Sequence, residues 1–251
     1  MFLVIIGIIV GLASGLLGVG GGFLMVPLQY FALNSIGVNP DLGFKIALGT
    51  SLACIIPTSL SGAYVHTKKS DIDVLKPGIL FGIFGIIGGF IGGKVAVFAP
   101  SNILRIIFGI LLIGIAINMV IERDSKKKEA KLKFTLVTGG IFGITIGFLA
   151  GLLGIGGGIF IIPVLTGLFG FTMLEAIATS AIFIPFSSIG GAISYIISGL
   201  GVNPFPYSIG YVSLINFILI IAFSIPMAHY GAKIAYKIKE KLLKEIFAIV
   251  L

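Results

Sequence analysis

The sequence predicts an all-α polytopic membrane protein made of two inverted-topology repeats, each a glycine-rich re-entrant (broken) helical hairpin followed by three transmembrane helices. Three observations lead to this prediction. Hydrophobic residues make up 57% of the 251 residues and charged residues 10%, which is too apolar for a soluble domain. A glycine cluster occurs twice, at 15–23 and 151–159. The charge of corresponding loops reverses between the two halves.

The net charge of +8 comes from lysines and arginines in short loops between apolar runs. Such loops are signals of membrane orientation, whereas a nucleic-acid-binding protein gathers its charge on one face. We therefore expect a lipid bilayer and no nucleic acid as partner. Cys54 is the one cysteine, which excludes an intramolecular disulfide and offers no partner for a metal site.

The first repeat is predicted to span 1–121. It begins with a hairpin at 1–33 around the first glycine cluster, and helices follow at about 46–65, 77–98 and 103–121. About 20 apolar residues cross a bilayer, so each later run makes one crossing. The first run is longer, and its glycines interrupt the helix.

A charged linker at 122–133 leads to the second repeat at 134–251, in which the same pattern returns. Its hairpin is predicted at 134–171 and its helices at about 176–197, 207–228 and 234–251. The similarity extends beyond the glycines, since Ala47-x-x-Thr50-Ser51 matches Ala176-x-x-Thr179-Ser180. Each half is therefore predicted to be one structural repeat.

Loop charges predict that the repeats are inserted upside down relative to each other. The loop at 67–76 holds three lysines and its counterpart at 198–206 holds none, whereas the next pair of loops shows the opposite bias. Positive loops stay in the cytoplasm, so the basic loops and the linker are expected there and the N-terminus outside. Two apolar runs then lie between the linker and the outer loop, and one of them must enter and return.

The glycine clusters are the candidate binding site. The helix after each cluster starts at Phe23 or Ile159, where unpaired amides and the helix dipole favour an anion. Glycines that only permit close helix packing are the alternative. The residues predicted to bind the substrate are Gly18, Gly20, Gly21, Gly22, Phe23, Thr50, Ser51, Gly154, Gly156, Gly157, Gly158, Ile159, Thr179 and Ser180.

Other polar and special residues have two interpretations each. The hydroxyls of the Thr-Ser pairs could contact the anion or bond neighbouring backbone. Pro57 and Pro185 could be hinges or static kinks. Lys94 and Lys233 could steer anions or extend to the lipid interface.

No pattern favours an enzyme, a cofactor or a metal. The nine acidic residues lie in loops or at segment edges, which argues against a cation exchanger. His66 and His229 lie near segment ends and are expected at the interface. The first glycine cluster follows no strand and lacks a Gly-Lys-Ser/Thr sequence, so neither nucleotide-binding pattern is met.

The doubled Gly-Leu-Leu-Gly-Val/Ile-Gly-Gly-Gly, the Val26-Pro27 and Ile162-Pro163 pairs and the doubled Ala-x-x-Thr-Ser resemble the TauE/SafE family, also called the sulfite exporter or toluene-sulfonate uptake permease family. The resemblance covers nearly the whole chain. It implies secondary transport of sulfur-containing anions such as sulfite, thiosulfate or organosulfonates across the cytoplasmic membrane of a prokaryote.

Three functional hypotheses remain open from the sequence. The first is a permease that works by alternating access around the two hairpin tips. The second is an anion channel, and the third is a membrane-embedded sensor or partner subunit that binds the anion without flux.

Overall fold

A computed structural model describes residues 2–69, 74–121, 132, 134–202, 206–238, 242–243 and 246. Within these residues the chain forms nine helices and one β-hairpin. The helices are α1 (Phe2–Leu17), α2 (Gly22–Ser35), α3 (Pro40–Lys69), α4 (Leu75–Phe98), α5 (Ser101–Ile121), α6 (Leu136–Leu153), α7 (Gly158–Leu168), α8 (Met173–Ser198) and α9 (Leu214–Ala235). The two strands, β1 (Ser208–Ile209) and β2 (Val212–Ser213), pair antiparallel.

Five of these helices, α3, α4, α6, α8 and α9, are long and apolar enough to cross a bilayer. The protein is therefore an all-α polytopic membrane protein, and the predicted fold class is confirmed at this level. Helices α4, α6 and α9 bury one side in the bundle and expose isoleucines and other apolar side chains on the other, as lipid-facing helices do, whereas most of α3 and α8 is buried.

The chain folds back on itself at both glycine clusters. Gly21 lies against Val10 of α1, so α2 returns along the arm that precedes it. Gly157 lies in the same way against Ile146 and Ala150 of α6. Two helical hairpins result, α1–α2 and α6–α7, with tips at residues 18–21 and 154–157.

Helices α3 and α8 form the centre of the bundle and run antiparallel. Gly49 near the start of α3 approaches Tyr195 near the end of α8, and Gly191 of α8 approaches Leu52. Around this pair, α4 packs on α6 and α8, while α9 packs on α1 and α3. Both hairpins are thus held against long helices from the other half of the chain.

Glycines set the distance between the hairpins and those helices. A methyl group on Gly7, Gly11 or Gly15 of α1 would overlap backbone of α9, at Ile220, Ser224 and Ala228 respectively. On α6, the corresponding Gly143, Gly147 and Gly151 lie against Phe81, Gly85 and Gly89 of α4. Small residues allow such close backbone approach between membrane helices, where dispersion contacts drive association.

Two helix starts differ from the sequence predictions. Helix α3 begins at Pro40 rather than near 46, because Asn39 accepts hydrogen bonds from the backbone N–H groups of Asp41 and Leu42 and so caps an earlier turn. The Thr50–Ser51 pair therefore lies well inside the helix.

The predicted helix at 207–228 is wrong at both ends, since α9 runs from Leu214 to Ala235. The first residues of the predicted segment form the β-hairpin instead, because Tyr207 and Gly210 both adopt a φ of 56°, which a helix does not allow. The backbone N–H of Ser213 donates to the Thr50 hydroxyl at 2.9 Å, which ties this hairpin to α3. Most of the predicted linker at 122–133 and of the predicted last helix at 234–251 lies outside the described residues.

The glycine contacts predict opposite effects for two Gly→Ala substitutions. Gly15→Ala pushes a methyl group into the carbonyl of Ala228, and we expect a loss of about 1–3 kcal/mol of stability. Gly109→Ala in α5 meets nothing within 4 Å and should be neutral or stabilising by up to about 1 kcal/mol. Thermal unfolding in detergent measures both changes, and equal melting temperatures for the two variants would contradict this packing.

Candidate functional site

Each hairpin tip is a buried turn that only glycine adopts without strain. Gly18, Gly20 and Gly21 have φ values of 62°, 77° and 77°, and their counterparts Gly154, Gly156 and Gly157 have values of 69°, 84° and 90°. All six residues are buried. This left-handed backbone costs other residues roughly 1–2 kcal/mol each, which explains why glycine stands at these positions in both tips.

The tips carry backbone N–H groups that have no acceptor. Among the described residues, the amides of Gly20, Gly21, Gly22 and Phe23 donate no hydrogen bond, and the first intrahelical bonds begin at Leu24. In the same described part of the chain, the amides of Gly156, Gly157, Gly158 and Ile159 donate no hydrogen bond, and the intrahelical bonds begin at Phe160. Buried amides nearly always have partners, so these groups mark a place where a ligand or water is expected.

The two tips meet each other in the middle of the bundle. A Cβ on Gly22 would lie 2.7 Å from the carbonyl oxygen of Gly154 and 2.6 Å from the Cα of Ile155. A Cβ on Gly158 would lie 2.8 Å from the carbonyl oxygen of Gly18. The N-termini of α2 and α7 therefore bring their positive dipole ends to one place.

Ser51 and Ser180 link the central helices to the opposite tips. The Ser51 hydroxyl donates to the carbonyl of Gly154 at 2.8 Å, and the Ser180 hydroxyl donates to the carbonyl of Gly18 at 2.5 Å. These bonds satisfy carbonyl oxygens that would otherwise repel an anion. The serines thus contribute by orienting the tips, and their protons are already engaged in this conformation.

The two threonines of the motif differ from each other. Thr50 is buried and accepts the hydrogen bond from Ser213. Thr179 is also fully buried, but its hydroxyl has no hydrogen-bond partner among the described residues. The structure thus leaves a free hydroxyl on α8 and none at the matching position of α3.

Two isoleucines close the space in front of the tips. Ile55 and Ile184 are fully buried, and the Cγ2 of each would lie 3.1 Å from a Cβ on Gly20 and on Gly156. Each isoleucine therefore faces both tips. The sequence does not distinguish them from other apolar residues, although Ile55 stands four residues after Ser51 and Ile184 four residues after Ser180.

Ser187 and Ser188 of α8 also lie at the second tip and were missed. Ser187 donates to the carbonyl of Gly156 at 2.7 Å. The Ser188 hydroxyl lies 3.0 Å from the Cβ position of Gly156 and has no hydrogen-bond partner among the described residues. The sequence does not show that these two serines lie at the tip, because it does not show which face of α8 is turned towards the tip.

The remaining predicted site residues lie away from the tips or inside helices. Pro57 and Pro185 stand within unbroken α3 and α8. Lys94 and Lys233 are exposed near the C-terminal ends of α4 and α9, beside exposed Val95 and Ile234. The structure does not bring either lysine to the tips.

His66 corrects one expectation from the sequence. It was expected at the interface, but its side chain is fully buried. Its Nε2 donates to the carbonyl of Gly15 at 3.1 Å, and its Nδ1 lies 3.3 Å from the hydroxyl of Tyr236. The ring thereby satisfies a carbonyl near the C-terminal end of α1, close to the first tip.

These features together form a site suited to an anion. Unpaired amides and two helix N-termini supply positive potential, and serines occupy carbonyl oxygens at both tips. Among the described residues, no group of three or more His, Cys, Asp or Glu side chains could hold a metal ion.

Comparisons with known proteins agree in placing the chain among membrane transporters. The family profile described as Sulfite exporter TauE/SafE matches residues 3–251. A probable membrane transporter protein of Methanocaldococcus jannaschii is 39% identical over 254 residues, covering 99% of this chain and 90% of the relative. A probable membrane transporter protein of Haemophilus influenzae is 35% identical over 98% of this chain and 93% of its own length. A third, the probable membrane transporter protein YunE of Bacillus subtilis, is 29% identical over 100% of this chain and 92% of its own length. No solved structure matches the chain.

The serine contacts predict that Ser51→Ala and Ser180→Ala each destabilise the fold. Each change leaves a buried tip carbonyl without its donor, and we expect a loss of about 1–3 kcal/mol of stability. Ser35→Ala, at an exposed position, is the matched control and should change stability by less than about 0.5 kcal/mol. Thermal unfolding of the three variants in detergent compares them, and a Ser51→Ala protein as stable as the control would refute the role assigned to this bond.

Proposed function

Because the chain belongs to the sulfite exporter TauE/SafE family, we propose that this multi-pass membrane transporter is a permease for a small sulfur-containing anion such as sulfite, thiosulfate or an organosulfonate. The anion is held by the backbone amides of the two glycine-rich tips. The family supports the class of substrate, and the tips support the mode of binding.

The observation that carries the proposal is the set of unpaired amides at residues 20–23 and 156–159. Each such group buried without a partner costs about 1–3 kcal/mol, and an oxyanion would satisfy several at once. A tetrahedral or pyramidal oxyanion has oxygens directed to more than one side, so it can accept hydrogen bonds from two tips together. Binding by uncharged donors also avoids a buried lysine or arginine, which would cost far more in the bilayer.

We propose that transport proceeds by alternating access, with the described conformation closed on both sides of the tips. Two observations support this proposal. The two tips contact each other, and Ile55 and Ile184 pack against both tips. Opening requires α3 and its hairpin contacts to move relative to α8, so that one isoleucine leaves the tips at a time. Pro57 and Pro185 lie within these two helices and are the proposed hinges.

We further propose that the two halves are inverted repeats. The antiparallel course of α3 and α8, which hold matching positions in the two halves, supports this. So does the reciprocal packing of α9 on α1 and of α4 on α6. The basic loops and the linker are then cytoplasmic, and the N-terminus lies outside.

This orientation predicts opposite sides for two introduced cysteines. Cys54 is fully buried and should give little background labelling. Lys68→Cys and Leu200→Cys both stand at exposed positions. A membrane-impermeant maleimide should label Leu200→Cys in intact cells and Lys68→Cys only after permeabilisation. Labelling of both from the same side would overturn the inversion.

Flux in proteoliposomes tests the function itself. We expect saturable uptake of labelled sulfite, thiosulfate or a simple sulfonate. Gly20→Ala should lower this flux about tenfold or more, because a side chain at φ 77° strains the tip by about 1–2 kcal/mol and meets Ile55 and Ile184. Gly37→Ala is the matched control, since Gly37 has φ 83° but nothing within 4 Å.

The outcomes of this experiment separate the three hypotheses. Saturable exchange supports a permease, and continuous conductance of the same anions identifies a channel instead. Binding without flux identifies a sensor or partner subunit. Failure of every anion to bind or move in a folded preparation removes the proposed substrate class.

A further inference from the structure

We infer that the two tips are not equivalent binding sites, and that the anion rests at the second tip, where the Ser188 hydroxyl donates a hydrogen bond to it. This inference rests on the proposed function, because it assigns a resting position and a further contact to the same anion. It derives from differences between residues at matching positions of α3 and α8.

The free hydroxyl is the first difference. Ser188 is fully buried, yet its Oγ has no hydrogen-bond partner among the described residues. At the matching position of α3, Ser59 donates to the carbonyl of Ile55 at 2.6 Å. A buried hydroxyl without a partner costs about 1–3 kcal/mol, so Ser188 is positioned for a partner that comes and goes.

The position of this hydroxyl is the second point. Its oxygen lies 3.0 Å from the place where a Cβ of Gly156 would stand, and Gly156 is the first residue in the run of unpaired amides at this tip. In the inferred bound state, an oxyanion held by those amides also accepts a hydrogen bond from this hydroxyl. Ile55 and Ile184 lie 3.1 Å from the same Cβ position, so binding requires these isoleucines to move away.

The carbonyl oxygens supply the third difference. At the second tip, Ser51 and Ser187 donate to the carbonyls of Gly154 and Gly156. At the first tip only the carbonyl of Gly18 receives a serine, and the carbonyl of Gly20 accepts no hydrogen bond among the described residues.

Thr58, which matches Ser187, is engaged elsewhere. It donates to the carbonyl of Cys54 and pairs with Ser224 at 2.6 Å. Carbonyl oxygens repel an anion unless a donor occupies their lone pairs. The second tip is therefore the more favourable resting position.

The chemical class that this site takes is an anion with at least two oxygens on different sides. One oxygen lies among the amides of Gly156 to Ile159, and another accepts from Ser188. A halide has a single acceptor atom, so it cannot accept from the amides and from Ser188 through two different atoms. Sulfite, thiosulfate and methanesulfonate all meet the requirement and serve as probes.

The test compares Ser188→Ala with Ser59→Ala in the purified full-length protein. Isothermal titration with sulfite, thiosulfate and methanesulfonate measures the affinity of each variant. We expect Ser188→Ala to weaken binding of the best probe about tenfold or more, since hydrogen bonds to charged groups are strong. Ser59→Ala should change the affinity by less than about twofold, because its hydroxyl is turned to its own helix.

Stability of the ligand-free protein gives a second, independent readout. Removal of an unpartnered hydroxyl should leave the melting temperature of Ser188→Ala unchanged or raised, whereas Ser59→Ala loses a hydrogen bond. A lowered melting temperature for Ser188→Ala would show that the hydroxyl has a structural partner and would overturn the inference. Equal affinities of the two variants would overturn it as well and leave the proposed function standing. If the wild-type protein binds none of the probes, both proposals fail.

Discussion

A helix that stops inside a buried bundle leaves backbone groups that need partners, and the rest of this structure follows from where those groups are placed. The tips at 18–21 and 154–157 interrupt both hairpins and are buried in protein. Helices α3 and α8 pack around the tips, and their serines donate hydrogen bonds to the tip carbonyls. In the described part of the chain, both tips keep a run of unpaired amide N–H groups, whereas the carbonyls of Gly18, Gly154 and Gly156 each accept a hydrogen bond from a serine.

Glycine has two different functions in this chain, which explains why 37 of its residues are glycine. At the tips, glycine permits a left-handed backbone. Along α1, α4 and α6, glycine permits backbone contact between right-handed helices. From the sequence, close packing is the alternative to ligand binding. The structure shows close packing along the helices, and ligand binding at the tips stays a prediction.

Features that repeat in the sequence were predictable, and features that depend on helix rotation were not. The doubled cluster located both tips, and the doubled Thr-Ser pair located the serines that reach them, although α3 proved longer than expected. Ile55, Ile184 and Ser188 belong to the same helices, but nothing in a uniformly apolar run marks the face that meets a tip. The run at 207–228 concealed a β-hairpin for the same reason, since apolar residues fill a buried turn as readily as a helix. His66 was misjudged because its partner, the carbonyl of Gly15, is contributed by backbone.

The glycine contacts also bear on how much of the chain is needed for folding. Each hairpin arm, α1 or α6, buries its glycines against a long helix of the opposite half, α9 or α4. Either half alone would leave these close-packed backbone surfaces uncovered. We therefore expect neither half to fold by itself, because each completes the packing of the other.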